Sequence, residues 1–201
     1  MKAIILGFEL PFMMQLAGIG GVLTQANVII DSVLPSISKY TGLIITCVQF
    51  FCNIMTMPIL AKFGRKQIIL IGNLLLAIID IALAIFFVFS DWKPTGIICT
   101  VLLILFVSVF GLTMAPIRLY VPEILPAKKV PWATMMNWLG ASITTLFTPM
   151  MIDSNHGNPY PAFFMFGGTI AVCYVYNLLV MVDTKGRTTK QIADMIASKL
   201  T

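Results

Sequence analysis

The sequence predicts an all-α membrane protein with six transmembrane helices, and three observations support this prediction. Of the 201 residues, 59% are hydrophobic and only 10% are charged, whereas soluble domains carry roughly a quarter charged residues. The apolar residues group into windows of about 20 residues, the length that crosses the hydrocarbon core. Short links rich in proline, glycine and polar residues separate these windows. They leave no room for a soluble domain.

The windows follow one another along the whole chain, and each is expected to form one helix. The first is expected to stay in the mature protein, because no small-residue cleavage pattern follows a short apolar core. The links are expected at 35–39, 62–66, 90–94, 122–131 and 153–160. The six expected spans are Leu10–Ile30, Thr41–Leu60, Ile68–Phe89, Thr95–Leu119, Trp132–Ile152 and Pro161–Val182.

The net charge of +5 is explained by membrane topology. Six spans put both termini on one side, and only Lys39 and Lys93 fall on the other side. The remaining eleven of the 13 basic residues share the side of the termini: Lys2, Lys62, Arg65, Lys66, Arg118, Lys128, Lys129, Lys185, Arg187, Lys190 and Lys199. By the positive-inside rule this side is the cytoplasm, or the matrix if the membrane is mitochondrial. The expected surrounding is therefore the lipid bilayer, and no nucleic-acid partner is expected.

The polar segment after the last span predicts a short amphipathic helix. Gly186 allows the backbone to turn where the last span leaves the bilayer, and Thr188 with Gln191 matches a capping box. Four apolar residues then recur at helical spacing, namely Ile192, Met195, Ile196 and Leu200. We therefore divide the chain into a transmembrane domain at 1–184 and a tail at 185–201.

Five short motifs follow one known pattern in order and spacing. VDTKGRT at 182–188 resembles a terminal PETKGRT signature, and FGRK at 63–66 is similar to a loop ending in GRR or GRK. PEILP at 122–126 resembles an SEIFP-type segment, NW at 137–138 an NW pair, and MQLAGIG at 14–20 a QQxSGxN motif. Together they resemble the C-terminal six-helix half of the sugar porters in the major facilitator superfamily. The resemblance implies a half-transporter bundle.

The resemblance also implies a set of sugar-binding candidates. Carboxamide groups bond hydroxyls as both donor and acceptor, and an aromatic ring packs under the sugar. The matching positions carry Gln15, Gln49 and Asn137. Three other positions have lost the family's polar or aromatic group, which removes about 1–3 kcal/mol each for a buried polar contact; these are Met14, Gly20 and Arg118. The three carboxamides are thus expected to bind sugar or to link helices.

Two charged residues fall inside predicted spans. Asp80 is near the middle of the third span, and Arg118 is near the end of the fourth. Intramembrane carboxylates are costly and are functional candidates by default. Asp80 is expected to carry a coupled proton, to bond a neighbouring helix while protonated, or to face a polar partner subunit. Arg118 is expected to reach the interface or to pair with Glu123.

A further group of charges is predicted on the side of the termini. Arg65 and Lys66 are expected to pair with carboxylates such as Glu123 or Asp183. The resemblance implies a charge network that holds one transport state, made of Arg65, Lys66, Glu123, Asp183, Lys185 and Arg187. The alternative is ordinary anchoring of the helix ends at the headgroups.

No enzyme activity, cofactor or bound metal is expected. The sequence contains no HExxH motif, redox CxxC or phosphate-binding glycine loop, and no nucleophile with a base partner. Transporters of this superfamily bind substrate between two six-helix halves, and one half provides only one wall. The chain is therefore expected to associate with a second transporter half or with other membrane subunits.

Two functions remain open from the sequence. The favoured interpretation is a transport-inactive accessory subunit of a larger membrane complex, for example a respiratory or ATP-synthase complex of the mitochondrial inner membrane. The missing half and the lost sugar contacts favour it. The alternative is a hexose-type sugar transporter, with the plasma membrane as its location, that works as a paired or split half or is a fragment of a longer transporter.

Overall fold

A computed structural model describes residues 2–31, 34–89, 94–184, 186–187, 191–192 and 195. The regular secondary structure of these residues is helical, which confirms the predicted all-α class. A short 3-10 turn, Ala127–Lys129, precedes α6. The helices are α1 (Lys2–Gln15), α2 (Ile19–Asp31), α3 (Pro35–Lys62), α4 (Arg65–Val88), α5 (Thr95–Ile124), α6 (Val130–Ser154) and α7 (Tyr160–Val180).

Helix α4 packs against α5 and α7. Its buried residues recur every three or four positions between Ile69 and Phe87, the spacing of one helix face. Helices α1 and α2 pack along α6, while α3 packs against α2 and α5. All seven helices contribute to one hydrophobic core, so the bundle is a single unit.

The outer surface of the bundle is apolar, as expected of a protein surrounded by lipid. On α3, for example, Leu43, Phe51 and Met57 each expose more than half of their side-chain surface. Five segments of the described chain are long and apolar enough to cross a membrane: Ile4–Asp31, Ser38–Leu60, Arg65–Val88, Thr95–Ile124 and Tyr160–Val180. The remaining long helix, α6, has the length of a span but carries more polar residues. The chain is a multi-pass membrane protein.

The first predicted span, Leu10–Ile30, needs two corrections. It begins earlier, at Lys2, so Glu9 lies within the helix and not before it. It is also broken, because Gly18 has a positive φ of 89°, a conformation that favours glycine. A Cβ at Gly18 would lie 2.2 Å from the ring of Phe166 on α7. The Gly18 amide bonds the Gln15 carbonyl at 3.0 Å, which closes α1 before α2 begins.

The predicted links at 35–39 and 122–131 need correction, because helices extend into them. The 35–39 link belongs to α3 because Pro35 takes the first helical position, where its missing N–H costs nothing. Helix α5 continues beyond Leu119 and past Pro122 to Ile124; proline is tolerated in transmembrane helices because neighbouring groups satisfy the freed backbone. The link between α5 and α6 is accordingly only 125–129.

The segment after α7 is held by Tyr120, which is fully buried on α5. Its hydroxyl donates to the Val182 carbonyl at 3.1 Å and accepts from the Val182 amide at 3.3 Å. Gly186 has a φ of 73°, in line with the predicted turn. Of the predicted tail helix, Gln191, Ile192 and Met195 are helical. The other tail residues singled out above lie outside the described chain, namely Lys185, Thr188, Lys190, Ile196, Lys199 and Leu200.

Candidate functional site

Two of the three predicted sugar ligands meet at the break in the first span. Gln15 occupies the last turn of α1, and its Nε2 donates to Oδ1 of Asn137 on α6 at 3.0 Å. Gly140 makes this approach possible, because a Cβ there would lie 2.8 Å from the Phe12 carbonyl oxygen. The side chain of Gln15 is buried and that of Asn137 is half-buried. Helices α1 and α6 thus bring these carboxamides together.

A cavity of about 310 Å³ lies beside this pair and also contains the third predicted ligand. Gln49 lines it from α3, together with Asn53 one helical turn further on. Helix α3 approaches α5 closely here, because Gly111 places its backbone against Cys52. Asn53 was missed by the sequence analysis, although its spacing of four from Gln49 puts both carboxamides on one helix face.

A second cavity of about 280 Å³ adjoins the first and contains Asn137 in its lining. Met114, Arg118 and Trp138 line both cavities. Gln15, Gln49, Asn137 and Arg118 therefore lie on the walls of one adjoining pair of cavities. Among the residues that the structure describes, the lining of neither cavity includes a carboxylate.

Met14 and Gly20, the other two positions at which the family's polar group is replaced, differ in their surroundings. Met14 is fully buried in the core, and it is not among the residues lining these two cavities. Gly20 lines the larger cavity, where α2 lies close to α6. A Cβ at Gly20 would lie 2.7 Å from Thr145 Oγ1 and 3.2 Å from the Ala141 carbonyl oxygen. The loss of a polar side chain at position 20 therefore accompanies closer packing of two helices.

Arg118 has an exposed side chain, and the predicted pair with Glu123 does not form. Glu123 instead accepts from Arg65, with Nη2 and Oε1 separated by 3.0 Å. Residues five apart do not share a helix face, so Glu123 points towards α4 while Arg118 points into the cavities. Within the described part of the chain, no hydrogen bond or ion pair involves Arg118.

The predicted charge network is partly assembled around the start of α4. Arg65 and Glu123 are both half-buried and join α4 to α5. The Asp183 carboxylate lies against Gly64, where a Cβ would be 3.3 Å from Oδ1. This places a negative charge at the N-terminus of α4, a favourable position relative to the helix dipole. Arg187 donates to the sulfur of Met195, and Lys185 lies outside the described residues.

Asp80 is fully buried on α4 and faces α7. The opposing residue is Gly167, where a Cβ would lie 3.2 Å from the Cβ of Asp80. Both carboxylate oxygens lack a hydrogen-bond partner among the described residues, as do both amide atoms of Asn73, seven residues earlier on α4. Of the three roles expected for Asp80, a bond to a neighbouring helix is not formed within the described chain, and the facing residue, Gly167, has no side-chain donor.

A second intramembrane carboxylate, Glu9, was missed because the predicted span began one residue after it. The Cys173 thiol of α7 donates to Glu9 Oε1 at 3.5 Å, and Asn177 Nδ2 donates to the Cys173 sulfur at 3.0 Å. These residues form a polar cluster between α1 and α7. The sequence did contain a signal for this cluster, because Glu9 is the single charged residue in the segment 3–30.

Comparisons with known proteins agree on one family. The family model described as "Sugar (and other) transporter" matches residues 1–196. The chain is 28% identical to the facilitated trehalose transporter Tret1 of Apis mellifera ligustica, covering 95% of this chain and 39% of that protein. It is 26% identical to the arabinose-proton symporter of Bacillus subtilis, covering 95% and 42%. The chain thus spans about two fifths of the length of these relatives.

A solved structure gives the same result for the fold. The proton:xylose symporter XylE, of the major facilitator superfamily, matches with a TM-score of 0.80 at 22% identity, over 97% of this chain and 43% of that one. The predicted half-transporter bundle is therefore confirmed. Since the family model covers nearly the whole chain, this protein belongs to the sugar transporter family and has the fold of a half-transporter of the major facilitator superfamily.

Proposed function

We propose that this chain is the substrate-binding half of a sugar transporter and acts with a second six-helix half. The hydrogen bond between Gln15 and Asn137, in the wall of cavities that also contain Gln49, carries the proposal. Carboxamides both donate and accept hydrogen bonds, which suits them to sugar hydroxyls. Gln15, Gln49 and Asn137 reach the cavities from α1, α3 and α6, so the proposed binding wall is built on rigid helices.

The second half follows from the mechanism of the fold. Substrate in this superfamily passes through a site between two halves that rock against each other. The bundle described here supplies one wall. The other wall is supplied by a second copy of this chain, by another polypeptide, or by further sequence of a longer transporter. In this mechanism the Arg65–Glu123 pair joins α4 to α5 and favours one of the two transport states.

Uptake measurements test this function directly. The chain, extracted with its bound partners and reconstituted in proteoliposomes, is expected to take up labelled hexose saturably. Gln15→Ala and Asn137→Ala should each lower uptake at least about tenfold, since each removes paired hydrogen bonds to the sugar. Ser142→Ala and Thr169→Ala are matched controls, because both hydroxyls bond the backbone of their own helix. Unsaturable uptake, or full activity in both carboxamide variants, would contradict the proposal.

An accessory subunit without transport activity is the second candidate. Gly20 and Arg118 favour it, because both line the cavities where the family resemblance implies polar and aromatic sugar contacts. The named relatives are transporters, which favours the first proposal. Gentle detergent extraction followed by sizing and mass spectrometry separates the two. Co-migration at fixed stoichiometry with a multisubunit enzyme supports the accessory role, whereas a particle containing only this chain counts against it.

The location proposed for a transporter is the plasma membrane, with both termini in the cytoplasm. The eleven-to-two distribution of basic residues supports this orientation. The mitochondrial inner membrane belongs with the accessory-subunit candidate. Fractionation of the native membranes distinguishes these locations.

A further inference from the structure

We propose that the cavity pair binds a sugar acid, with Arg118 holding the carboxylate. This inference rests on the proposed transport function and specifies its substrate class. Arg118 occupies the wall common to both cavities, where it is accompanied by Met114 and Trp138. Its guanidinium is therefore available to a ligand in either cavity.

The charge balance of the cavity favours an anionic ligand. A guanidinium remains protonated in proteins, and an isolated charge within a membrane is costly. Arg118 has no ion-pair partner in the described chain, and no described carboxylate lines either cavity. The planar guanidinium matches a carboxylate through two parallel hydrogen bonds. A bound carboxylate would supply the counter-charge that the described residues do not provide.

The rest of the lining favours hydroxyl groups next to that carboxylate. Gln15, Gln49 and Asn53 present uncharged donors and acceptors in the cavity that also contains Arg118. Trp138, which is 67% exposed, offers an aromatic surface for the apolar face of a sugar ring. The volume of about 310 Å³ is at the lower end of small-molecule sites, which span about 300–1,000 Å³. A monosaccharide bearing one carboxylate combines these features.

Competition binding with two matched sugars tests the inference. Labelled glucose and labelled glucuronate, which differ at C6, are measured on the chain extracted with its bound partners into lipid nanodiscs. Glucuronate is expected to bind more tightly than glucose and to displace it. Arg118→Gln should weaken glucuronate binding about 10- to 100-fold, the range for hydrogen bonds to a charged group, and should remove the preference of the wild type for glucuronate over glucose. Arg118→Lys should restore part of the affinity, because it keeps the charge without the planar fork.

The controls separate this inference from the transport proposal. Lys39→Gln removes the same charge from an exposed site outside the two cavities, so it should leave glucuronate binding unchanged. A monodisperse size-exclusion profile and an unchanged melting temperature show that the Arg118→Gln variant is folded. Glucose binding without glucuronate binding would overturn the sugar-acid inference and leave the sugar function standing. Equal loss of both ligands in Arg118→Gln would assign Arg118 a structural role and overturn the inference. Absence of both ligands in the wild type would overturn both proposals.

Discussion

Asp80 and Arg118 are charged residues within membrane-spanning helices, and neither has an ion-pair partner among the described residues. Arg118 faces cavities that can hold a counter-charge in a ligand. Asp80 is sealed between α4 and α7, and no described group bonds its carboxylate. An ionised group in such surroundings is strongly unfavourable. We therefore assign Asp80 no part in substrate binding and expect its charge to be dispensable.

Asp80→Asn is expected to leave assembly intact and to keep or raise the apparent melting temperature in detergent. The substitution preserves the shape of the side chain and removes the unfavourable charged form. Size-exclusion profiles recorded after heating provide the measurement. Asp153→Asn, on an exposed residue at the end of α6, serves as the control.

The same variant also decides whether Asp80 carries a coupled proton. We expect hexose uptake by Asp80→Asn to retain the pH dependence of the wild type, because Asp80 lines neither cavity. Loss of that dependence with normal assembly would restore the proton-carrier interpretation. Loss of assembly would show that the carboxyl group makes a contact essential to the bundle.

At the scale of elements, the break between α1 and α2 positions the carboxamide pair. The first helix ends just after Gln15, where the Gly18 amide bonds the Gln15 carbonyl. This places the Gln15 side chain against Asn137 on α6. Two requirements meet at Gly18, a positive φ and contact with the Phe166 ring. A continuous helix from Lys2 to Asp31 could neither adopt the positive φ at Gly18 nor make this contact with Phe166.

Gly18→Ala is expected to destabilise the bundle by about 1–3 kcal/mol from backbone strain alone, with a further loss from the clash with Phe166. Thermal stability in detergent is the measurement, and sugar binding should fall as Gln15 shifts. Gly168→Ala on α7 is a matched control, since no atom lies within 4 Å of its added methyl group. A helical Gly-to-Ala change there should stabilise by up to about 1 kcal/mol. Equal effects of both variants would contradict the role of Gly18.

The ion pair between α4 and α5 allows a charge-exchange experiment. Arg65→Glu or Glu123→Arg alone should lower uptake, because each places like charges together near the start of α4. The double exchange should recover a large part of the loss. Its coupling energy is expected to be about 1 kcal/mol or less, as for a pair that remains partly exposed. Additive losses in the double variant would show that the two residues act separately.

At the scale of the whole molecule, one cluster joins all seven helices while much of the outer surface stays apolar. That surface suits lipid, and the cavities suit a second transporter half as their opposite wall. The proposed partner is therefore the feature with the largest effect on function at this scale. It also decides between the two proposed functions.

The proposed topology predicts that both termini lie on one side of the membrane. Single cysteines introduced at Lys2 and at Arg187, in a background without the four native cysteines, should react with an impermeant reagent only after the membrane is opened. A cysteine at Asn158, in the α6–α7 link, should react in intact cells. Labelling of Lys2→Cys or Arg187→Cys in intact cells would contradict the proposed orientation or the proposed number of crossings.

The sequence by itself determined the helical class and the approximate position of each span, and it singled out Gln15, Gln49 and Asn137, which lie on the walls of the adjoining cavities. These depend on local hydropathy and on short motifs, which are properties of neighbouring residues. It failed at the break beside Gly18 and at the continuation of α5 past Pro122, because hydropathy averages over such backbone details. Only the tertiary structure decided that Glu123 pairs with Arg65, that Arg118 faces the cavities and that Asp80 is sealed against Gly167. Each of these depends on which helices are neighbours in space, and that arrangement is set by packing across the whole bundle.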